Sequence, residues 1–127
     1  MPPLGLRHLA LRVKDPQASK RFYQECFGMK IVWEPDPDNV YLSSGIDNLA
    51  LHRDAVEGPG ALDHFGFVVG SKEEVDAVAA RLQARGVTIA EGTRDHRDGS
   101  RSFYCLDPDG LRIQVLYEPS LSGQTIR

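Results

Sequence analysis

His8-Leu9-Ala10-Leu11-Arg12-Val13 and His64-Phe65-Gly66-Phe67-Val68-Val69 are two short β-rich runs, each opened by a histidine and each leading into a polar turn. The stretches after them match as well, and a repeat decides the fold before any single element does. After the first run, Asp15-Pro16 offers a capping carboxylate followed by proline at the first helical position. Phe22, Cys26 and Phe27 then give that helix an apolar stripe. After the second run, Ser71 with Glu74 three residues on reads as a capping box. Val75, Val78, Ala79 and Leu82 supply its buried face at helical spacing. Both helices are expected to stop at glycines able to take a left-handed conformation, Gly28 and Gly86. Gly28-Met29-Lys30-Ile31-Val32 and Gly86-Val87-Thr88-Ile89-Ala90 then read as strands.

Each half closes on two strands joined by a glycine turn. In the first, Val40-Tyr41-Leu42 and Leu49-Ala50-Leu51-His52 flank Gly45. In the second, Phe103-Tyr104-Cys105-Leu106 and Ile113-Gln114-Val115-Leu116-Tyr117 flank Asp107-Pro108-Asp109-Gly110, a strong turn signal because proline presets φ and glycine tolerates φ > 0. The acid- and proline-rich Glu34–Asn39 segment reads as a loop, and the tail from Ser120 to Arg127 as loose chain. The order is therefore β-α-β-β-β, twice. The fold class is α+β: a module over about residues 4–54 and another over about 60–119, within a single domain spanning 1–127.

Alternation along the strands gives each a packed set and an open set. Leu9, Leu11 and Val13 oppose His8, Ala10 and Arg12; Phe65, Phe67 and Val69 oppose His64, Gly66 and Val68. Leu49 and Leu51 oppose Asn48, Ala50 and His52; Ile113, Val115 and Tyr117 oppose Arg112, Gln114 and Leu116. Large apolar residues point one way, toward the helices. Small and polar residues, with three of the four histidines, point the other and suggest a lined cavity. Paired histidines at equivalent positions on that face suggest metal ligation, since neutral imidazole suits borderline divalent cations. His52 fits a substrate contact better than a ligand position, and His96, within Arg94–Arg101, reads as part of a solvated charged loop.

Bulk properties narrow the partners. The chain has 127 residues and a net charge of −3, which gives no support for nucleic acid or a membrane surface as partner. No apolar run approaches the ~20 residues of a membrane helix. Met1–His8 lacks a basic segment followed by a long apolar one, so no secretory leader is expected and the cytoplasm is the expected compartment. Cys26 and Cys105 then read as buried thiols.

The doubled β-α-β-β-β plan, the His8/His64 pair and the closing Tyr104-Cys105-Leu106-Asp107-Pro108-Asp109-Gly110-Leu111-Arg112-Ile113-Gln114 resemble the vicinal-oxygen-chelate (glyoxalase / bleomycin-resistance / extradiol-dioxygenase) superfamily over about residues 4–119. The resemblance implies a U-shaped, mostly antiparallel mixed sheet around a cleft, modules related by a pseudo-twofold, and a homodimer. It implies a divalent metal (Fe, Mn, Ni or Zn) held by His8, His64 and the eighth-strand position, Gln114, all converging on one point. Metal-dependent members carry glutamate there. The fourth-strand ligand position of glyoxalase-like members falls on Ala50, which cannot coordinate. Neutral donors alone leave a bound dication uncompensated, so the ion is expected to be weakly held or absent.

Tyr104 falls where extradiol enzymes carry an active-site tyrosine and is the catalytic candidate. Their iron needs a carboxylate that Gln114 does not supply, and their acid–base histidine falls on Asp47. Glyoxalase I chemistry needs a carboxylate base near the metal, which Ala50 and Gln114 cannot be. Two functions remain open. One is a metal-dependent lyase, isomerase or oxygenase-like enzyme. The other is a metal-free protein that binds or sequesters a small, oxygen-rich or anionic ligand in the dimer cleft through apolar contacts, His52, Tyr104, Arg97 and Arg101.

Overall fold

Local chemistry places the two long helices where the sequence puts them. In the computed structural model, which describes residues 4–55, 57–58 and 60–123, the strand β1 (His8–Val13) runs into α1 (Pro16–Phe27). Asp15 caps that helix by accepting from the Gln17 and Ala18 amides, at 3.1 and 3.3 Å. Gly28, at φ 67°, ends it. Ser71 caps α2 (Lys72–Ala84) by accepting from the Glu74 amide at 3.2 Å, while Glu74 reaches back to the Gly70 amide, one residue before the cap. The remaining strands are β2 (Lys30–Asp36), β3 (Asn39–Ser43), β4 (Asn48–Arg53), β5 (Phe65–Val68), β6 (Ile89–Asp95), β7 (Arg101–Leu106) and β8 (Arg112–Tyr117).

The chain divides into two compact units, one up to Glu57 and one from Gly58 onward. Each holds a four-stranded mixed sheet of the same plan: β1-β4-β3-β2 and β5-β8-β7-β6, with β1/β4 and β5/β8 parallel and the other neighbours antiparallel. The repeat extends to its irregularities. The register slips between Ile31 and Trp33 and between Trp33 and Asp36, and again between Ile89 and Glu91 and between Glu91 and Arg94.

Packing follows the alternation. In the first unit Val13, Tyr23, Val40, Leu42 and Leu51 are fully buried; in the second Val75, Leu82, Phe103, Ile113 and Val115 are. Each stabilises its unit by roughly 1.5–3 kcal/mol of apolar transfer. The buried stripe of α1 is Pro16, Ser19, Tyr23 and Cys26, so the expected Phe22 and Phe27 give way to a tyrosine. Phe22 and Phe27 remain half-buried as edge-on ring neighbours of each other. On α2, Val75 and Leu82 are buried and Val78 and Ala79 half-buried. Both cysteines are buried and neither is in a disulfide.

Two expectations are corrected. Glu34–Asn39 is not a loop: β2 continues to Asp36, and β3 resumes at Asn39 after a two-residue turn. Pro35 is tolerated because β2 is an edge strand. Glu34 is held toward α1 by Lys20 at 3.1 Å and Gln17 at 2.9 Å. The segment after Tyr117 is not wholly loose, since a short turn of helix, α3 (Pro119–Ser122), is capped by Glu118; residues 124–127 lie outside the described residues. No described helix is long and apolar enough to cross a membrane.

Candidate functional site

Strand register turns the open face of each sheet into rows. Across the first sheet one row reads Trp33–Tyr41–Ala50–Ala10, and the next reads Asp36–Asn39–His52–Arg12. Across the second, the equivalent rows read Glu91–Tyr104–Gln114–Gly66 and Arg94–Ser102–Leu116–Val68. Ala50 and Gln114 are thus the same position of the two modules, as are Tyr41 and Tyr104. Ala50 lies on the open side as expected but is 1% exposed, flanked in register by Ala10 and Tyr41, so this part of the face is closed.

Tyr104 is the hub of the second module. Its ring meets the edge of His64, centroids 5.2 Å apart. It carries the Arg112 guanidinium 4.5 Å above its centre, a cation–π contact. Arg112 also donates to Glu91 through Nη2, while its Nε is buried with no partner. Gln114 faces Tyr104 from one side in register and Gly66 from the other. A Cβ on Gly66 would sit 3.1 Å from Leu116 Cδ2 and 3.2 Å from the Gln114 carbonyl, so the glycine leaves Gln114 uncrowded. Asp63 lies 3.6 Å from His64 Nδ1.

In the first module both histidines have their tautomers set by asparagines. His8 Nδ1 donates to Asn48 Oδ1 at 2.9 Å, and His52 Nδ1 to Asn39 Oδ1 at 2.7 Å. Asn39 is oriented in turn because its amide nitrogen donates to Asp36. With Nδ1–H committed, Nε2 of each ring is the acceptor or ligand atom. His52 also meets Tyr41 edge-on at 5.6 Å, and Tyr41 stacks on the exposed Trp33 at 5.1 Å.

The loop expected over Arg94–Arg101 is shorter than that, because β6 runs to Asp95 and β7 begins at Arg101. Arg101 shares the parity of Phe103 and Cys105, toward the helix. It is bound there to Asp76 of α2 at 2.9 Å and Asp95 at 3.0 Å. Hydrogen bonding to Arg101 holds the Asp95 carboxyl below its ordinary value, and the same bonds hold the guanidinium proton more tightly. Arg97 is exposed at the loop tip. His96 is not simply solvated: it is half-buried, with Nε2 2.9 Å from the buried Ser102 hydroxyl. The loop is drawn in by Asp98, whose carboxyl is lowered chiefly by its hydrogen bond from Ser100. Sequence reasoning missed Glu91 and Arg94, gave His96 no role beyond a solvated loop, and gave Arg112 only its place in the open set.

These donors bear on the implied metal. His64 and Gln114 share the second module's face, and His8 stands on β1 of the first. Imidazole and amide are neutral, and Glu91, the carboxylate in the Gln114 row, is taken by Arg112. Among the described residues no three His, Cys, Asp or Glu side chains form a metal-binding group. With a guanidinium fixed on the face that carries Gln114, this set does not fit a tightly held divalent ion.

Comparison with known proteins agrees with this architecture. The family model described as Glyoxalase/Bleomycin resistance protein/Dioxygenase superfamily matches residues 5–115. The glutathione transferase FosA of Serratia marcescens is 32% identical over 118 residues, covering 87% of this chain and 79% of that protein. A probable trivalent organoarsenical cleaving enzyme of Bacillus subtilis is 32% identical over 119 residues, covering 91% and 81%. The crystal structure of a lactoylglutathione lyase from Agrobacterium tumefaciens superposes with a TM-score of 0.81 at 26% identity, covering 97% of this chain and all of that one. With its two βαβββ modules and a family match over residues 5–115, the chain belongs to the Glyoxalase/Bleomycin resistance protein/Dioxygenase superfamily.

Proposed function

We propose that this chain binds a small, oxygen-rich molecule on the open face of its second-module sheet, with Tyr104, His64 and Gln114 as contacts and a divalent ion held weakly or not at all. The observation that carries this reading is the arrangement around Tyr104. Imidazole, guanidinium and amide groups gather around one tyrosine on this face. Such groups donate to and accept from oxygen atoms of a ligand, and the half-buried tyrosine ring supplies apolar contact. The glutamine at the eighth-strand position, in place of the glutamate expected of metal-dependent members, is what lowers the affinity for a cation.

The relatives favour a second reading. Glutathione transferase, organoarsenical cleaving enzyme and lactoylglutathione lyase are all names of enzymes. In that reading His8, His64 and Gln114 hold iron, manganese, nickel or zinc in a lyase-, isomerase- or transferase-type enzyme, with Tyr104 beside the reacting group. The asparagine-fixed tautomer of His8, which leaves Nε2 free, suits it.

The separating experiment is metal content of untagged protein, followed by calorimetric titration of wild type and Gln114→Glu with manganese, iron, zinc and nickel. A carboxylate at 114 should raise affinity by one to three powers of ten, about 1.4–4 kcal/mol. Stoichiometric metal in wild type that is lost in His64→Ala establishes the second reading and overturns the first. No binding to either protein rules out His8, His64 and position 114 as a metal site.

A further inference from the structure

Arg112 starts on β8 and ends over another strand. Its register partner on β7 is Leu106, yet its guanidinium lies 4.5 Å above the ring of Tyr104, and Nη2 donates to Glu91 of β6. The side chain therefore crosses the open face from β8 toward β6, with the tyrosine ring beneath it. Two contacts at its end are favourable, a cation over an aromatic face and an ion pair. A third feature opposes them. Among the described residues, Arg112 Nε is the one buried side-chain nitrogen or oxygen with no hydrogen-bond partner. Folded proteins leave few such atoms, because a buried donor forfeits the bonds that water would give it. The first module has no counterpart. Asn48, which opens β4 as Arg112 opens β8, is bonded to His8, and Tyr41 is covered by the uncharged Trp33.

We propose that Arg112 is a displaceable cap over Tyr104, a built-in guanidinium seated in a cradle made by the tyrosine ring and the Glu91 carboxylate. An ion pair whose side chains are 40% and 56% exposed is weak and is screened by salt. The cation–π contact is of the same order as the cost of the unpaired Nε. Lifting the side chain returns Nε to water. It also uncovers the ring of Tyr104 between His64, edge-on at 5.2 Å, and Gln114, opposite in register. Closed, the cap occupies the ring surface that a ligand would cover; open, it releases that surface. Its role in ligand entry rests on the second-module face being the ligand face, whereas the cap itself does not.

The test follows the Tyr104 ring and the Arg112 Nε–H by NMR in the full chain, from about 0.01 M to about 1 M sodium chloride. Over that range the screening length falls from about 30 Å to about 3 Å. With the cap closed, the ring current holds the Nε–H resonance upfield. Salt should move it toward the position of a solvated arginine, and Glu91→Gln should place it there already at low salt. The Tyr41 ring, under uncharged Trp33, should stay still. Asp38→Asn, which removes the Arg53–Asp38 pair of the first module, should behave as wild type. Methylguanidinium is the second probe. It should give saturable Tyr104 shifts in Arg112→Ala, with affinity about tenfold lower when Glu91→Gln is added. Wild type, whose own Arg112 holds the seat, should bind it more weakly than Arg112→Ala. Arg112 and Tyr104 signals indifferent to salt and to Glu91→Gln would make the guanidinium a fixed strut and overturn the cap. So would methylguanidinium that leaves Tyr104 unmoved in Arg112→Ala. The salt series uses neither that variant nor a ligand, so it decides the matter even if Arg112→Ala does not fold. It also separates failure of the cap from failure of the ligand face, which the metal titrations and Gln114→Ala test.

Discussion

Replacing Asp107 by alanine should cost the second module about 2–4 kcal/mol. Asp107 closes β7 and is only 5% exposed. Its Oδ1 accepts from the Asp109 and Leu111 amides, each at 2.9 Å, and the Leu111 bond is buried. Backbone bonds from the Asp107 amide to Leu111 and from the Gly110 amide to Asp107 complete the turn, each at 3.0 Å. Gly110 sits at φ 81°, where a glycine is favoured. Alanine leaves Pro108 and Gly110 in place and removes the acceptor of these two amides. The buried Leu111 amide then loses a charged partner and water cannot replace it, a cost of roughly 1.5–3 kcal/mol. The half-buried Asp109 amide regains water and adds about 0.5–1 kcal/mol. With a urea slope near 1.5 kcal/mol per molar, the midpoint should fall by about 1.3–2.7 M. Asp107→Asn keeps a carbonyl acceptor of the same shape without the charge, so it should recover about half of the loss. A midpoint shift below about 0.3 M for alanine would refute the reasoning. So would an asparagine variant no better than alanine, since the acceptor would then not be what holds the turn.

Two further outcomes rest on the same kind of geometry. Gly66→Val brings side-chain atoms to a site where even a Cβ would lie 3.1 Å from Leu116 Cδ2 and 3.2 Å from the Gln114 carbonyl, so it should cost about 1–3 kcal/mol of stability and shift the Gln114 and Leu116 NMR signals. The Glu34 carboxyl is held below its ordinary value, first by the Gln17 hydrogen bond and then by Lys20. Its contribution is therefore present above the ordinary glutamate range and lost as pH falls through that range toward the folded value, and Glu34→Gln should flatten the acid side of a pH–stability profile measured by urea titration.

Much of the fold was legible because its signals are local. Asp15-Pro16, Gly28, Ser71 and Asp107–Gly110 each act on amides within four residues, so sequence spacing carries the geometry. The second and sixth strands were harder. Pro35 and the acids of β2 argue for a loop when read alone, and only Lys20 and Gln17, a helix away, explain why Glu34 is held in a strand. The site divides the same way. Gln114 could be placed by counting alternation along the unbroken β8, and His64 by extending the alternation of β5 one residue back from Phe65. Arg101 could have been as well, because it shares the parity of Phe103 and so faces α2 and not the open side. Glu91 and Arg94 could not be counted. Two register slips lie between Ile89 and Arg94, and each slip resets which face the next residue occupies. His96 reaches Ser102 only because the Asp98–Ser100 turn folds it back, a contact with no strand periodicity behind it.

The duplicated scaffold carries different side-chain chemistry on its two modules. Both sheets keep a tyrosine at the centre of the open row and a residue no larger than alanine on the parallel neighbour of the ligand position, Ala10 beside Ala50 and Gly66 beside Gln114. Those constraints are steric, because a larger neighbour would crowd the central position. The polar content is where the two differ. At the row end the first module has Trp33 stacked on its tyrosine, where the second has Glu91 holding a guanidinium over its own. At the ligand position the first has a closed-in alanine and the second an amide. One backbone plan thus yields an aromatic central row in one copy and a charged, hydrogen-bonding central row in the other. Fold membership alone could not have told the two apart. If that contrast is the basis of function, Gln114→Ala, which gives the second row the residue found in the first, should abolish ligand binding while leaving the stability of the second module within about 0.5 kcal/mol of wild type.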